Sequence, residues 1–333
     1  MHVNIKDVAE RAGVSIATVS LALNGNERIN VKTRRRVAEV ARELGYQPNP
    51  SAKRLASRKS RQIGLVLPDI ENTYYAALAQ YALNELLASD YALIIASSMN
   101  SRQMERRIIS DLIGDQVEGL MIAPVEKPND NLSYLDMLKE ADIPFVFVTA
   151  GYSGLEHPCV MCDLYGGMRA LLDALYEGGA RRIDLLSGAQ NVHCFDLRSS
   201  AYADFCEQKG LEYRRVHHLE GIRYDDCFNY VQSMDIGSTE AIVCVNDMMA
   251  LGAINALRAR GRRVPEDVAV AGFDDSIFSR VSPVSITTVR QDVRRMAVNA
   301  ASWMLDCVRG NRPDPEYLRL IPCEVQLRQS TER

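Results

Sequence analysis

From Ile63 to Ala271 the chain repeats one pattern, a short apolar run followed by a longer stretch with apolar residues at helical spacing. The runs Ile63–Leu67, Tyr91–Ala96, Gly119–Ala123 and Phe145–Val148 come first, each separated from the next by a helical stretch. The pattern restarts after Asp163. Helix Gly166–Tyr176 precedes strand Ile183–Leu186, and helix Asp196–Gln208 precedes strand Tyr213–His217. A helix near Asp225–Met234, strand Ala241–Val245, helix Met248–Arg260 and strand Val268–Ala271 complete it. Strands alternating with helices at this spacing form a parallel sheet covered on both faces. The restart makes the body two doubly wound α/β lobes, about 62–160 plus 292–320 and about 161–291 plus 321–333. The long helix Val293–Val308 and a last strand, about Ile321–Leu327, return to close the lobes. Ligands of such sheets bind at the carboxyl ends of the strands, here in the cleft between the lobes.

Ahead of the body stands a different texture. Ile5–Asn24 reads IKDVAERAGVSIATVSLALN. Val8, Ala9 and Ala12 recur at helical spacing, Gly13 interrupts, and Ser15 opens a second helical run through Val19 and Leu23. A Ser15 hydroxyl can cap that second helix. Gly13 can take the left-handed turn without a Cβ penalty, and Ala9 is small where the second helix crosses it. Two short helices about such a turn predict a helix-turn-helix. Asn30 caps a third helix, about Val31–Leu44, with Gly45 as its stop. The small all-α domain is expected over 1–46. A linker over 47–61 follows, where Pro48 and Pro50 break the helix and Ser51–Ser57 are long enough for about two helical turns.

Charge separates the two parts. Residues 1–62 hold 13 Lys and Arg against 5 Asp and Glu, a net +8, and the remainder holds 26 against 38, a net −12. A basic head on an acidic body points the head toward a polyanion such as the DNA backbone. No apolar run reaches membrane-spanning length. The N-terminus has no basic-then-apolar signal sequence, so the eight cysteines are expected as reduced thiols in the cytoplasm, or on the nucleoid when DNA is bound.

With these motifs in hand, the chain resembles the lactose-repressor (LacI/GalR) family of bacterial transcription regulators. The resemblance is carried by IKDVAERAGVSIATVSLALNG at 5–25, ELGYQPNPSAKRL at 43–55, IGLVLPDIENTYY at 63–75, NDMMALGA at 246–253, VAGFDD at 270–275 and ITTVRQD at 286–292. It implies lobes like those of periplasmic sugar-binding proteins, a homodimer or dimer of dimers, operator DNA as partner, and a small-molecule effector between the lobes. It places base reading on Ile16, Ala17 and Leu21. These are apolar here, so they suit thymine methyls and cannot form bidentate hydrogen bonds to base edges. Ser15, Thr18, Ser20, Asn24 and Thr33 then supply phosphate contacts. In the linker the resemblance implies a minor-groove wedge at Leu55, with Asn49, Ala52 and basic Lys53 beside it.

For the effector the resemblance implies Arg198, Asn246 and Asp274, of which Asn246 and Asp274 can alternatively cap the helices that follow them. Asp69, Tyr74 and Tyr75 follow the first strand and could form a wall; Cys194 lies one turn before Arg198. Thr149 stands where the family often has an acid, and Arg223 near its usual aromatic platform. Both make the pocket less acidic, which motivates an anionic sugar derivative as effector.

Other motifs lead nowhere comparable. Cys159 and Cys162 have half a zinc-site spacing, with His157, His193 and Cys194 as the available companions, but alternate strand residues face opposite ways. No metal, cofactor or catalytic constellation is expected, so the chain reads as a regulator and not an enzyme. The competing reading is a regulator answering to a protein partner or to thiol oxidation, with a vestigial cleft. A chain ending soon after its last strand, with no heptad tail, is expected to stop at a dimer, although a tetramer through lobe faces stays open.

Overall fold

The computed structural model describes residues 3–23, 25–46, 60–125, 134–151, 157–311 and 317–332. The chain forms two compact units, Met1–Ser60 and Arg61–Arg333.

In the first unit, helix α1 (Ile5–Ala12) opens with a reciprocal cap. The Asn4 Oδ1 accepts from the Lys6 N–H at 2.8 Å, and the Asn4 N–H donates to Asp7 Oδ2 at 2.8 Å. Gly13 ends it at φ 63°, in the left-handed region that costs any other L-residue. Helix α2 (Ile16–Leu23) starts behind Ser15, whose Oγ accepts from the Thr18 N–H at 3.1 Å. Helix α3 (Val31–Glu43) starts behind Asn30, which accepts from the Lys32 N–H at 2.9 Å. The three pack around Val8, Ala9, Ala12, Val19, Ala22, Val37 and Ala41. Small residues dominate this core, so the helix axes come close together.

The second unit holds two six-stranded sheets. The first runs β11 (Leu318–Ile321), β5 (Cys159–Cys162), β4 (Phe145–Val148), β3 (Gly119–Ile122), β1 (Gln62–Leu67), β2 (Ala92–Ser97), parallel throughout. The second runs β12 (Glu324–Gln326), β10 (Thr287–Arg290), β9 (Ala269–Asp274), β8 (Ala241–Cys244), β6 (Ile183–Ser187), β7 (Arg215–His218), parallel except for β12 against β10. Helices α4 (Thr73–Leu87), α5 (Arg102–Gly114), α6 (Tyr134–Glu140) and α12 (Val293–Val308) belong to the first lobe. Helices α7 (Leu164–Glu177), α8 (His193–Gln208), α9 (Tyr224–Ser233), α10 (Asp247–Ala259) and α11 (Ile277–Val281) belong to the second. The inner strands β3, β4 and β8 are buried along their whole length, which is why they read as unbroken apolar runs; β6 is buried too but carries Asp184 and Ser187.

Three departures from the sequence reading matter. The expected last strand, Ile321–Leu327, is two strands, one in each sheet, divided at Pro322, which has no N–H to continue a ladder. Strand β10 was not anticipated, because TTVR carries no apolar run; Thr287 and Thr288 are nevertheless fully buried, their hydroxyls bonded to Thr331 and Asp247. Val160–Cys162, expected to enter the second lobe, is part of the first sheet, and the chain changes lobe just after it.

The chain therefore crosses between lobes three times: from β5 to α7 at Asp163, from β10 to α12 at Gln291 and Asp292, and from β11 to β12 at Pro322 and Cys323. The Asp163 N–H donates to the Ile321 carbonyl at 2.8 Å, tying the first crossover to the third.

Candidate functional site

The head unit presents α2 as its exposed face. Ile16 and Leu21 are 44% and 39% exposed, and Ala17 is also exposed. Val19 and Ala22, on the other side of the helix, are buried. Three apolar side chains held out to water on a helix with a buried opposite face form a surface that can meet a base edge or another apolar group. Ser15 and Thr18 share a hydroxyl contact of 2.9 Å. Thr18, Ser20 and Thr33 are half-buried. Asn24, Asn49, Ala52, Lys53 and Leu55 lie outside the described residues.

In the body, the C-terminal ends of adjacent strands gather the remaining candidates. Asn246 follows β8 and Asp274 ends β9, beside β10 and Gln291. Asn246 behaves as a cap. Its Oδ1 accepts from the Met249 N–H at 2.8 Å, and its Nδ2 donates to the Ile222 carbonyl at 2.9 Å. Asp274 is no cap. At φ 108° it turns out of the strand, and its Oδ1 accepts from Gln291 Nε2 at 2.7 Å. Burial raises its pKa to about 6, against the opposing pull of the Arg198 charge and the Gln291 hydrogen bond.

Arg198, on the second turn of α8, is only 5% exposed. Its guanidinium lies 4.2 Å from the centre of the Phe273 ring, and its Nε has no hydrogen-bond partner among the described residues. A buried N–H without a partner is expensive, so this edge is built to meet an acceptor.

Across the cleft, Tyr74 is buried to 8% exposure and packs edge-on against Tyr75 at 5.2 Å. Its hydroxyl donates to Gln291 Oε1 at 3.2 Å. Tyr74, Gln291 and Asp274 therefore form a hydrogen-bonded relay from the first lobe, through a crossover residue, to the second. Burial raises the Tyr74 pKa well above that of free tyrosine, so this hydroxyl keeps its proton. Thr149 is buried at φ 73°, its N–H donating to the Val160 carbonyl at 2.9 Å. Cys194 is half-buried against the core.

Arg223 is not a free charge. Its Nη2 donates to Asp69 Oδ2 at 3.0 Å and its Nη1 lies 3.5 Å from Glu71 Oε2, so the pair bridges the rims of the two lobes. The sequence reading took Asp69 and Arg223 as separate pocket residues; the structure joins them and adds Glu71.

The sequence reading also missed Asp247. It is 1% exposed, and its Oδ1 accepts from Thr288 Oγ1 and its Oδ2 from the Ser276 N–H, both at 2.6 Å. Burial, then the neighbouring Asp274 charge, raises its pKa to about 8. It pins the turn at Asp274 and Asp275, two successive residues at positive φ. The available signal was Gly272, where an added Cβ would lie 2.4 Å from Asp247 Oδ1.

A cavity of about 290 Å³ lined by Leu171, Ala269, Thr287 and Leu327 lies at the opposite ends of the second-lobe strands and shares no residue with the cleft set. Among the described residues, no helix is long and apolar enough to cross a membrane.

Residues 4–49 match the family model of bacterial regulatory proteins, lacI family, and residues 172–331 match that of a periplasmic binding protein-like domain. The ribose operon repressor of Bacillus subtilis (strain 168) is 30% identical, over 99% of this chain and 98% of its own length. The structure of the Lac repressor dimer bound to operator and the anti-inducer ONPF aligns with a TM-score of 0.88 at 24% identity, covering 99% of each chain. That of the transcriptional regulator CelR–cellobiose complex aligns with a TM-score of 0.74 at 27% identity, covering 99% of this chain and 100% of that one. The chain belongs to the LacI family and is a DNA-binding transcription regulator.

Proposed function

We propose that this regulator is a cytoplasmic repressor that binds a palindromic operator as a homodimer and is controlled by a sugar or sugar derivative held between its lobes. The observation that carries the effector reading is Arg198, a buried guanidinium with an unpaired Nε at the cleft edge beside Asp274. Arginine and aspartate together suit vicinal hydroxyls, one donating and one accepting. The CelR neighbour was solved with cellobiose, which supports a carbohydrate in a body of this fold. Asn246 enters as the cap that fixes the start of α10, Cys194 as the residue one turn before Arg198 on α8, and Asp69, Tyr74, Tyr75 and Thr149 as the facing wall.

The anionic version of the effector rests on Arg198, because Arg223 is already held by Asp69 and Glu71. On the DNA side, Ile16, Ala17 and Leu21 contact thymine methyls while Ser15, Thr18, Ser20, Asn24 and Thr33 position the backbone. In the linker 47–61, Leu55 is the minor-groove wedge, with Asn49, Ala52 and Lys53 beside it. Effector and operator affinities are then linked reciprocally.

The test is a thermal-shift screen of the full chain against neutral sugars, sugar acids and sugar phosphates. A ligand that binds only the folded state raises the melting temperature with concentration. The expected result is a hit lost in both Arg198→Ala and Asp274→Ala. A blank screen on folded protein overturns the effector reading, and a hit among neutral sugars alone overturns the anionic version.

A further inference from the structure

The family reading uses only Cys194 of the eight cysteines, and two of the others meet at the lobe crossovers. Cys162 ends β5 in the first lobe, and Cys323 lies between β11 and β12 where the chain passes to the second. Ile321 is the register partner of Cys162, and its carbonyl takes the N–H of Asp163, so the two crossing segments lie side by side. The thiols of Cys162 and Cys323 hydrogen-bond to one another, and the Asp292 backbone of the remaining crossover also reaches the Cys162 sulfur. All three crossovers thus converge on one sulfur. Gly167, one turn into α7, makes room for Cys323: an added Cβ there would lie 2.8 Å from Cys323 Cβ and 3.2 Å from its Sγ. Gly167 is thereby explained as a seat for Cys323, while its neighbour Gly166 leaves room for the capping carboxylate of Asp163.

We propose that Cys162 and Cys323 form a reversible disulfide that pins the hinge between the lobes. The site goes beyond the effector reading and depends on neither effector nor operator identity. Cys162 is fully buried and Cys323 half-buried, so Cys323 meets the oxidant first. With hydrogen peroxide, the Cys323 thiol loses its proton and its sulfur attacks the peroxide O–O bond, giving a sulfenic acid and one water. The Cys162 sulfur then attacks the Cys323 sulfur and gives up its proton, and the sulfenic oxygen leaves as the second water. Two thiols and one peroxide become one disulfide and two waters. The neighbouring Cys323 thiol and burial both raise the Cys162 pKa, so Cys162 is slow toward peroxide and the first oxidation falls to Cys323. Cys159, three residues earlier in the same strand, faces the other way and takes no part.

The experiment treats the full chain with hydrogen peroxide, alkylates it under denaturing conditions, and maps it by mass spectrometry before and after dithiothreitol. The expected result is loss of two of the eight alkylatable thiols, a single Cys162–Cys323 cross-linked peptide, and full recovery on reduction. Hydrogen exchange at the three crossovers slows in the oxidised protein. Cys323→Ser, at the less buried position, loses no pair of thiols and shows no slowing; Cys162→Ser repeats the result where it folds. Retention of all eight thiols, or a cross-link between Cys227 and Cys244 or any other pair, overturns the proposal. So does a Cys162–Cys323 cross-link that leaves exchange at the crossovers unchanged, because the hinge would then not be pinned.

Discussion

The two lobes share one strand order and differ in what they bring to the cleft. Written from the crossover edge, the sheets run β11-β5-β4-β3-β1-β2 and β12-β10-β9-β8-β6-β7, the same winding with one reversed edge strand. Yet the second lobe carries three acidic or basic side chains at its strand ends, the buried Arg198 and Asp247 and the half-buried Asp274, while the first offers the uncharged Tyr74 and Thr149 beside one buried ion pair, Glu105 with Arg102. Topology sets where a side chain can stand, and the residues there decide which wall is polar. Buried charges are expensive unless held by fixed partners, so the second lobe must be the more preorganised wall.

That contrast is sharpest at Asp247. Asp247→Ala leaves the Ser276 N–H and the Thr288 hydroxyl without their acceptor in a buried site. The expected loss is about 3 kcal/mol in urea unfolding. Asp69→Ala, on the first-lobe rim, is expected to cost less than about 1 kcal/mol. Equal losses would break the comparison.

The next test is pH. Asp247 has its pKa raised to about 8, so the native state holds a proton that the unfolded chain has already released. Stability then falls as pH rises through this window, because the native state binds more protons. Asp274, at about 6, contributes the same sign at lower pH. Asp184 has the opposite sign: burial alone would raise its pKa, but His217, Thr239, Tyr213 and Arg215 hold it below the usual value, so it acts only in acid. Half-buried His157 and His193, their pKa values lowered chiefly by burial, also act below neutrality. The expected outcome is a urea midpoint that falls between about pH 7 and about pH 8, with the slope removed in Asp247→Asn. A flat profile would mean that Asp247 is ionised in the fold.

How much of this was legible depended on whether the cause was local. Gly13, Ser15 and Asn30 do in the structure what their residue types announce, because a cap or a left-handed turn is settled within a few residues. The buried strands showed as apolar runs. Strand β10 was hidden because two of its three buried residues are threonines whose partners, Thr331 and Asp247, are distant in sequence. Asn246 was legible both as a ligand and as a cap, and its hydrogen bonds are those of a cap. Asp247 looked like an ordinary first-turn acid; only the close approach of Gly272 marks it as buried. The Arg223 bridge was out of reach because it joins residues 154 positions apart.

A smaller effect probes the relay between the walls. Tyr74→Phe removes one hydroxyl and leaves the ring in place. It frees Gln291 Oε1 while Gln291 Nε2 still donates to Asp274. The expected cost is about 1 kcal/mol, the net value of one buried hydrogen bond. A much larger loss, or a shift in the pH profile, would show that the first lobe helps set the charge of the second.

The smallest effect is expected at the rim, and its salt dependence is the informative part. Arg223 is 65% exposed and its partner Glu71 77% exposed, so solvent screens the bridge that spans the cleft mouth. Arg223→Ala should change stability by less than about 1 kcal/mol, and raising the ionic strength should have a similar effect on the unaltered chain. The same substitution releases Asp69 and Glu71 at the mouth. If the bridge acts as a latch between lobes, small-angle scattering of Arg223→Ala should show a larger radius of gyration than the parent at low salt and none of that difference at high salt. An unchanged radius at both salts would place lobe closure on the Tyr74–Gln291–Asp274 relay, within the buried part of the cleft.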